Sequence, residues 1–200
     1  MPRGAGHAGH TVVERAYCRN HESLAVPAGT RHDDVVLILR ATAKLRQRVG
    51  LPTLQDGEQS TTLLGEWYAT ALPWRPQVAL LVNELTLLPV LMPLAPAATL
   101  LSRVAGQIAT VLAAHGTPGA IVQRELEHMR EHRIATTANR SVVGIMNEFA
   151  FLADTYRYTN PTPSLLDLAV RLAATPCSPM YRRNISPDRQ LAAHLRTVDA

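Results

Sequence analysis

From Pro96 onward the apolar residues of this chain recur at spacings of three and four, whereas before it they stand in short runs closed by turn residues. That change of period separates a strand-forming part from a helix-forming part. Residues 35–39, Val-Val-Leu-Ile-Leu, predict a buried strand, and residues 42–49 a short helix stopped by Gly50 and Pro52. Two further runs, 64–72 and 77–83, flank Pro73-Trp74-Arg75-Pro76. Two prolines in so short a connection predict a tight turn and an antiparallel hairpin. Residues 84–92 suit either a strand or a short helix, because Thr86 and Pro89 interrupt the pattern.

After Pro96, Leu100, Leu101, Val104, Ile108, Val111 and Leu112 outline one amphipathic helix ended by Gly116. Thr117 as cap and Pro118 at the first helical position predict a second helix, running to about His132. Residues 134–137 suit a short strand, and 139–158 a long helix with Val142, Met146, Phe149, Ala153 and Tyr156 inward. Ser164 caps a last core helix at 165–174, and a short helix is expected near 187–195. Strands first and helices later make the expected class α+β: a small, mostly antiparallel sheet, a strand plus a hairpin, packed by a C-terminal set of helices. The expected organisation is a loosely ordered extension at 1–33, a single globular domain at 34–175 and a C-terminal tail at 176–200.

With 46% hydrophobic and 18% charged residues, 200 residues can bury a core. Pro89, Pro93 and Pro96 break the longest apolar run, so no membrane span is expected there. Glu14 and Arg15 leave no secretory apolar stretch near the start, and the expected compartment is cytoplasmic. Cys18 and Cys177, far apart, do not make a disulfide framework, although one bridge stays open. A net charge of +4 permits a nucleic-acid partner without requiring one, and Lys44 is the only lysine.

Several segments together resemble an uncharacterised family of bacterial proteins, some of them associated with plasmid-type open reading frames. They are Leu37-Ile38-Leu39-Arg40-Ala41-Thr42-Ala43-Lys44-Leu45, Leu64-Gly65-Glu66-Trp67-Tyr68-Ala69, Leu81-Val82-Asn83-Glu84, and Thr137-Ala138-Asn139-Arg140-Ser141 continuing to Phe149. The resemblance implies one domain and a bacterial cytoplasmic setting, and no activity.

The leading ligand site is the start of the long helix, where Asn139, Arg140 and Ser141 would meet an anion. Asn147 and Glu148 would extend it, Asp154 would lie on the same stripe, and Gly144 would admit a close approach. The plainer reading makes Asn139 a helix cap and Gly144 a packing position. The second candidate is His128-Met129-Arg130-Glu131-His132, an H-x-x-E-H pattern. On one helix its histidines would lie a turn apart and share zinc, with Glu131 activating water. A solvated helix face explains the same residues. Trp67 is expected in the core and Trp74, between prolines, in the open. Arg182, Arg183, Arg189 and Arg196 are a weak phosphate signal. Phosphate-loop, dinucleotide, C-x-x-C and nucleophile-elbow patterns are absent from the sequence.

The chain thus reads as a non-enzymatic binding or regulatory module without a cofactor, and the resemblance alone implies a regulatory or mobile-element context. Its partner would be an unidentified protein or nucleic acid, and the sequence leaves its oligomeric state open. The alternative is a small metal-dependent hydrolase holding zinc through His128 and His132.

Overall fold

The computed structural model describes residues 36–159, 163–177 and 185–198. The extension expected at 1–33, Cys18 and the Arg182-Arg183 pair lie outside the described residues.

Five strands form one sheet: β1 (Val36–Ala41), β2 (Trp67–Leu72), β3 (Val78–Asn83), β4 (Pro89–Pro93) and β5 (Glu131–Thr136). Their order is β4-β3-β2-β1-β5. The hairpin around Trp74 forms as the two prolines predict, with Trp67 opposite Asn83 and Leu72 opposite Val78. Residues 89–93 resolve as a strand antiparallel to β3. The sheet is nevertheless mixed and not mostly antiparallel, because β1 runs parallel to both of its neighbours. A parallel pair cannot be joined by a tight turn and needs a crossover. That crossover contains α1 (Ala43–Val49), so the helices are not all C-terminal as expected.

The other helices are α2 (Leu100–Ala114), α3 (Gly119–His128), α4 (Arg140–Thr159), α5 (Leu165–Ala173) and α6 (Pro187–Val198). Strand alternation sends Leu37, Leu39, Trp67 and Leu81 to one face, where α2 buries Leu100, Val104, Ile108, Val111 and Leu112. By length and composition Ala97–Ala114, mean hydropathy 1.4, could cross a membrane. Here its apolar stripe is spent on the sheet. Tyr68, Leu80, Val82 and Leu91 point to the opposite face, covered by Val142, Ile145, Met146, Phe149 and Ala153 of α4.

Both sheet edges are closed, which removes the free strand edges on which chains aggregate. On the β4 side, α5 lies along the strand. It sends Ala169 and Ala173 to one face and Leu168 and Leu172 to the other. On the β5 side the backbone at Thr53 and Leu54 donates to the Ile134 carbonyl at 2.8 and 3.1 Å, and Ile134 N–H donates to the Thr53 hydroxyl at 3.0 Å. The helix α6, read from sequence as part of a tail, places Leu191 in the core.

Two caps sit where the sequence puts them. Asn139 Oδ1 accepts from Ser141 N–H at 3.0 Å, and Ser164 and Asp167 form a capping box on α5. The third cap is displaced. Pro118 has extended ψ of 137°, so α3 begins a residue late and makes no side-chain cap with Thr117.

Phe149 and Phe151 test this packing two residues apart on α4, since Phe149 is fully buried and Phe151 is 71% exposed. Phe149→Ala is expected to cost about 3–5 kcal/mol. Phe151→Ala should stay within about 0.5 kcal/mol. Equilibrium denaturant unfolding of both variants checks the contrast.

Candidate functional site

In open sheets, ligands bind outside the carboxyl ends of parallel strands, at the point where successive connections leave to opposite faces. That condition is met between β1 and β5. After β1, α1 places Leu45 in the cluster on one face, and after β5, α4 packs on the other. The polar groups that gather there come from segments far apart in the chain. Arg40 pairs with the Glu66 carboxylate through Nε and, at 3.0 Å, through Nη2, and its Nη1 donates to the Thr136 carbonyl at 3.2 Å. The Glu66 hydrogen bond holds the guanidinium charged despite partial burial. Asn139 donates from its backbone N–H to the Tyr68 hydroxyl at 3.1 Å and from Nδ2 to Glu84 Oε1 at 3.0 Å. Tyr68 makes a long 3.5 Å contact to the same oxygen. Burial raises the Tyr68 phenol above its ordinary value, opposed by the Asn139 N–H.

Beneath this cluster lies Asn83, fully buried, with every side-chain lone pair and proton engaged. Its Nδ2 donates to the Leu64 and Glu66 carbonyls at 2.7 and 3.3 Å. Its Oδ1 accepts from Leu85 N–H, Thr86 N–H and the Thr86 hydroxyl at 3.1, 2.9 and 2.8 Å. Among the described residues the crevice is therefore built largely of groups that pair with one another.

The five residues expected at the α4 site differ in setting. Asn139 is the cap, while Arg140, Ser141 and Asn147 are exposed and Glu148 is half-buried toward Cys177. Asp154, on the same expected stripe, accepts from Trp74 Nε1 at 2.5 Å. That bond, with Arg157 stacked 4.3 Å over the indole, corrects the expectation for Trp74, which is buried, not open. Trp67 is in the core, as expected. Gly144 neither packs closely nor receives a neighbour, since a Cβ there would meet nothing within 4 Å. Cys177 is a buried free thiol. Burial, reinforced by Glu148, pushes its pKa up to about 11, which removes thiolate reactivity at neutral pH.

The H-x-x-E-H residues also part company. The helix α3 ends at His128, Met129 turns inward to 4% exposure, and Glu131 and His132 open β5. The helix stops early because pairing residues 131–136 with all of β1 outweighs another helical turn. The one-turn spacing that a shared metal needs is thus lost. His128 Nδ1 donates to the Thr61 carbonyl at 2.6 Å. Among the described residues no group of three His, Cys, Asp or Glu side chains is placed to hold a metal ion. We expect the purified chain to melt at the same temperature with and without a chelator. Stoichiometric zinc lost on His128→Ala or His132→Ala would reverse that reading.

Sequence reasoning missed Glu125, which holds the crossover in place. It is 2% exposed and accepts from Leu63 N–H at 2.6 Å and Leu64 N–H at 3.3 Å. His194 Nε2 donates to the Leu63 carbonyl at 3.0 Å alongside. Its only sequence signal is a carboxylate on the apolar stripe of α3, four residues after Ile121. Burial raises the Glu125 pKa, outweighing the two N–H donors and the nearby His128 and His194. A raised folded pKa means that this stability is full below the ordinary carboxylate value of about 4.3. It is lost as pH rises through the higher folded value. The wild type should therefore lose stability relative to Glu125→Gln as pH is raised from acid toward neutral. Parallel denaturation curves at each pH read the difference, and two curves that do not diverge refute the assignment.

Residues 38–190 match the family model of a domain of unknown function, DUF6933. No curated protein and no solved structure matches the chain.

Proposed function

The chain belongs to the DUF6933 family, a domain of unknown function, and we propose that it is a non-catalytic module that docks another protein through the outer face of α4. One observation carries this reading: Phe151 and Tyr158 stand 71% and 91% exposed, seven residues apart and so on one helical stripe. Aromatic side chains at that exposure are what protein interfaces collect, because they bury large areas at low entropic cost. Gly144, Asn147 and Thr155, exposed and uncharged, lie between and around these rings, and the half-buried Glu148 and Asp154 flank them. The uncharged centre of the face loses little on desolvation. The open Gly144 lets a partner's backbone approach closely. Arg140 stands at the head of the stripe, where it would orient a carboxylate.

A protein partner suits this face better than nucleic acid, since Arg140 is the stripe's only cation and phosphate contacts dominate nucleic-acid affinity. The reading is tested by placing a photoreactive phenylalanine analogue at position 151 in the full chain and irradiating it in cells. One discrete protein adduct is expected, reduced at least about tenfold by Tyr158→Arg. A control analogue at Arg48, on α1, should not form it. No adduct from 151, or the same adducts from both positions, refutes the docking face. Steeply salt-dependent binding to duplex DNA that Arg140→Ala abolishes would make nucleic acid the partner instead.

A further inference from the structure

The cavity bounded by the end of α2, the start of α3 and the inner side of α6 has a volume of about 240 Å³. It is independent of the α4 face. Ile121, Leu191 and Leu195 give it an apolar side, and two of its other lining residues hold buried polar atoms without a hydrogen-bond partner. Thr117 is 8% exposed and its Oγ1 has no hydrogen-bond partner. This is the hydroxyl that the sequence assigns to capping α3 and that the late start of the helix leaves over. His115 Nε2, at the end of α2, is likewise buried without a partner. Native folds rarely leave buried polar atoms unpaired, and where they do a ligand is one standing reason.

We propose that this cavity binds a small neutral molecule with a hydrogen-bonding head on an apolar body, of the class of a carboxamide or a heterocyclic lactam. A hydroxyl both donates and accepts, and a neutral imidazole nitrogen can do either, so each atom can meet the donor or the acceptor of such a head. Burial pushes the His115 pKa down, against the raising effect of Asp188, which keeps the ring neutral at neutral pH. The charged groups lining the cavity are Asp188 and Arg196, one of each sign. A net anion would face the first and a net cation the second. Asp188 also has one oxygen committed, since Oδ1 takes the Ser186 hydroxyl and, at 2.7 Å, the Arg189 N–H. The volume lies below the usual range for drug-sized ligands, which limits the occupant to roughly one ring with a polar head.

Benzamide, benzoate and benzamidine share a shape and differ in charge, so amide-resolved NMR titration of the full chain with each reads both site and class. Benzamide should shift the amides of Gly116, Ile121 and Ala192 saturably at about millimolar concentration. Thr117→Val should weaken that binding about tenfold or more and raise the melting temperature by about 2–4 °C, since it removes an unpaired buried hydroxyl. A hydroxyl with a structural role would lower the melting temperature instead. Thr117→Ser should retain binding, and His115→Phe should lose it with the spectrum still dispersed. Tighter binding of benzoate or benzamidine overturns the neutral class. Absence of saturable shifts with all three, or unchanged affinity in Thr117→Val, overturns the site.

Discussion

Everything in this structure hangs on β1 being parallel to both neighbours. A central strand buried on both faces is expected to be almost wholly apolar, and Val36, Leu37, Ile38, Leu39 and Ala41 are buried, with Arg40 near its carboxyl end the exception. Neither parallel neighbour can be reached by a hairpin. The chain therefore leaves β1 through α1 and a long loop to reach β2, and returns beside β1 as β5 only after the hairpin strands and two helices. The long loop would be an entropic burden were it not tied down at several points. Thr53 and Leu54 run along β5, Thr61 exchanges bonds with Val36, and Glu125, His128 and His194 hold residues 61–64. A buried carboxylate is tolerable there because two backbone N–H groups face it, and its raised pKa records the residual cost.

The same topology decides where polar chemistry collects. The carboxyl ends of β1 and β5 form the natural crevice of such a sheet, and Arg40, Glu66, Tyr68, Glu84 and Asn139 meet there. In this chain they pair with one another, so the crevice serves to lock the start of α4 onto the sheet. Groups left without a use lie elsewhere. Among the described residues they include the exposed rings of α4 and, of five buried side-chain atoms without a partner, the two whose residues line the cavity beside α6, Thr117 Oγ1 and His115 Nε2. On the readings proposed above, the first would take a large partner and the second a small one.

Much of the site was visible residue by residue but not as a site. Arg40 inside an apolar run, Glu66 beside two aromatic residues, and Asn83-Glu84 closing a strand are each anomalies of pattern, and each ends in the cluster. Nothing in spacing says that four anomalies share one place, because their separation in sequence carries no distance. The histidines between 128 and 132 show the reverse error. A spacing of four implies one helical face only if the helix continues, and pairing with β1 ended it. Trp74 was misjudged for a related reason. Two flanking prolines specify a turn, but its burial comes from Asp154 and Arg157, about 80 residues away on α4.

What the sequence determined by itself is local: the change of period at Pro96, the proline turn between β2 and β3, the Asn139 and Ser164 caps, and the inward stripes of α2 and α4. These depend on propensities and spacings within a few residues, where chain geometry already fixes which side chains are neighbours. Tertiary structure alone decided the direction and partners of β1, the boundary between α3 and β5, and the pairing of Arg40 with Glu66. Those outcomes are set by which arrangement buries both faces of the sheet and pairs most of its polar groups at once. That sum runs over residues scattered along the chain, and no single stretch of sequence contains it.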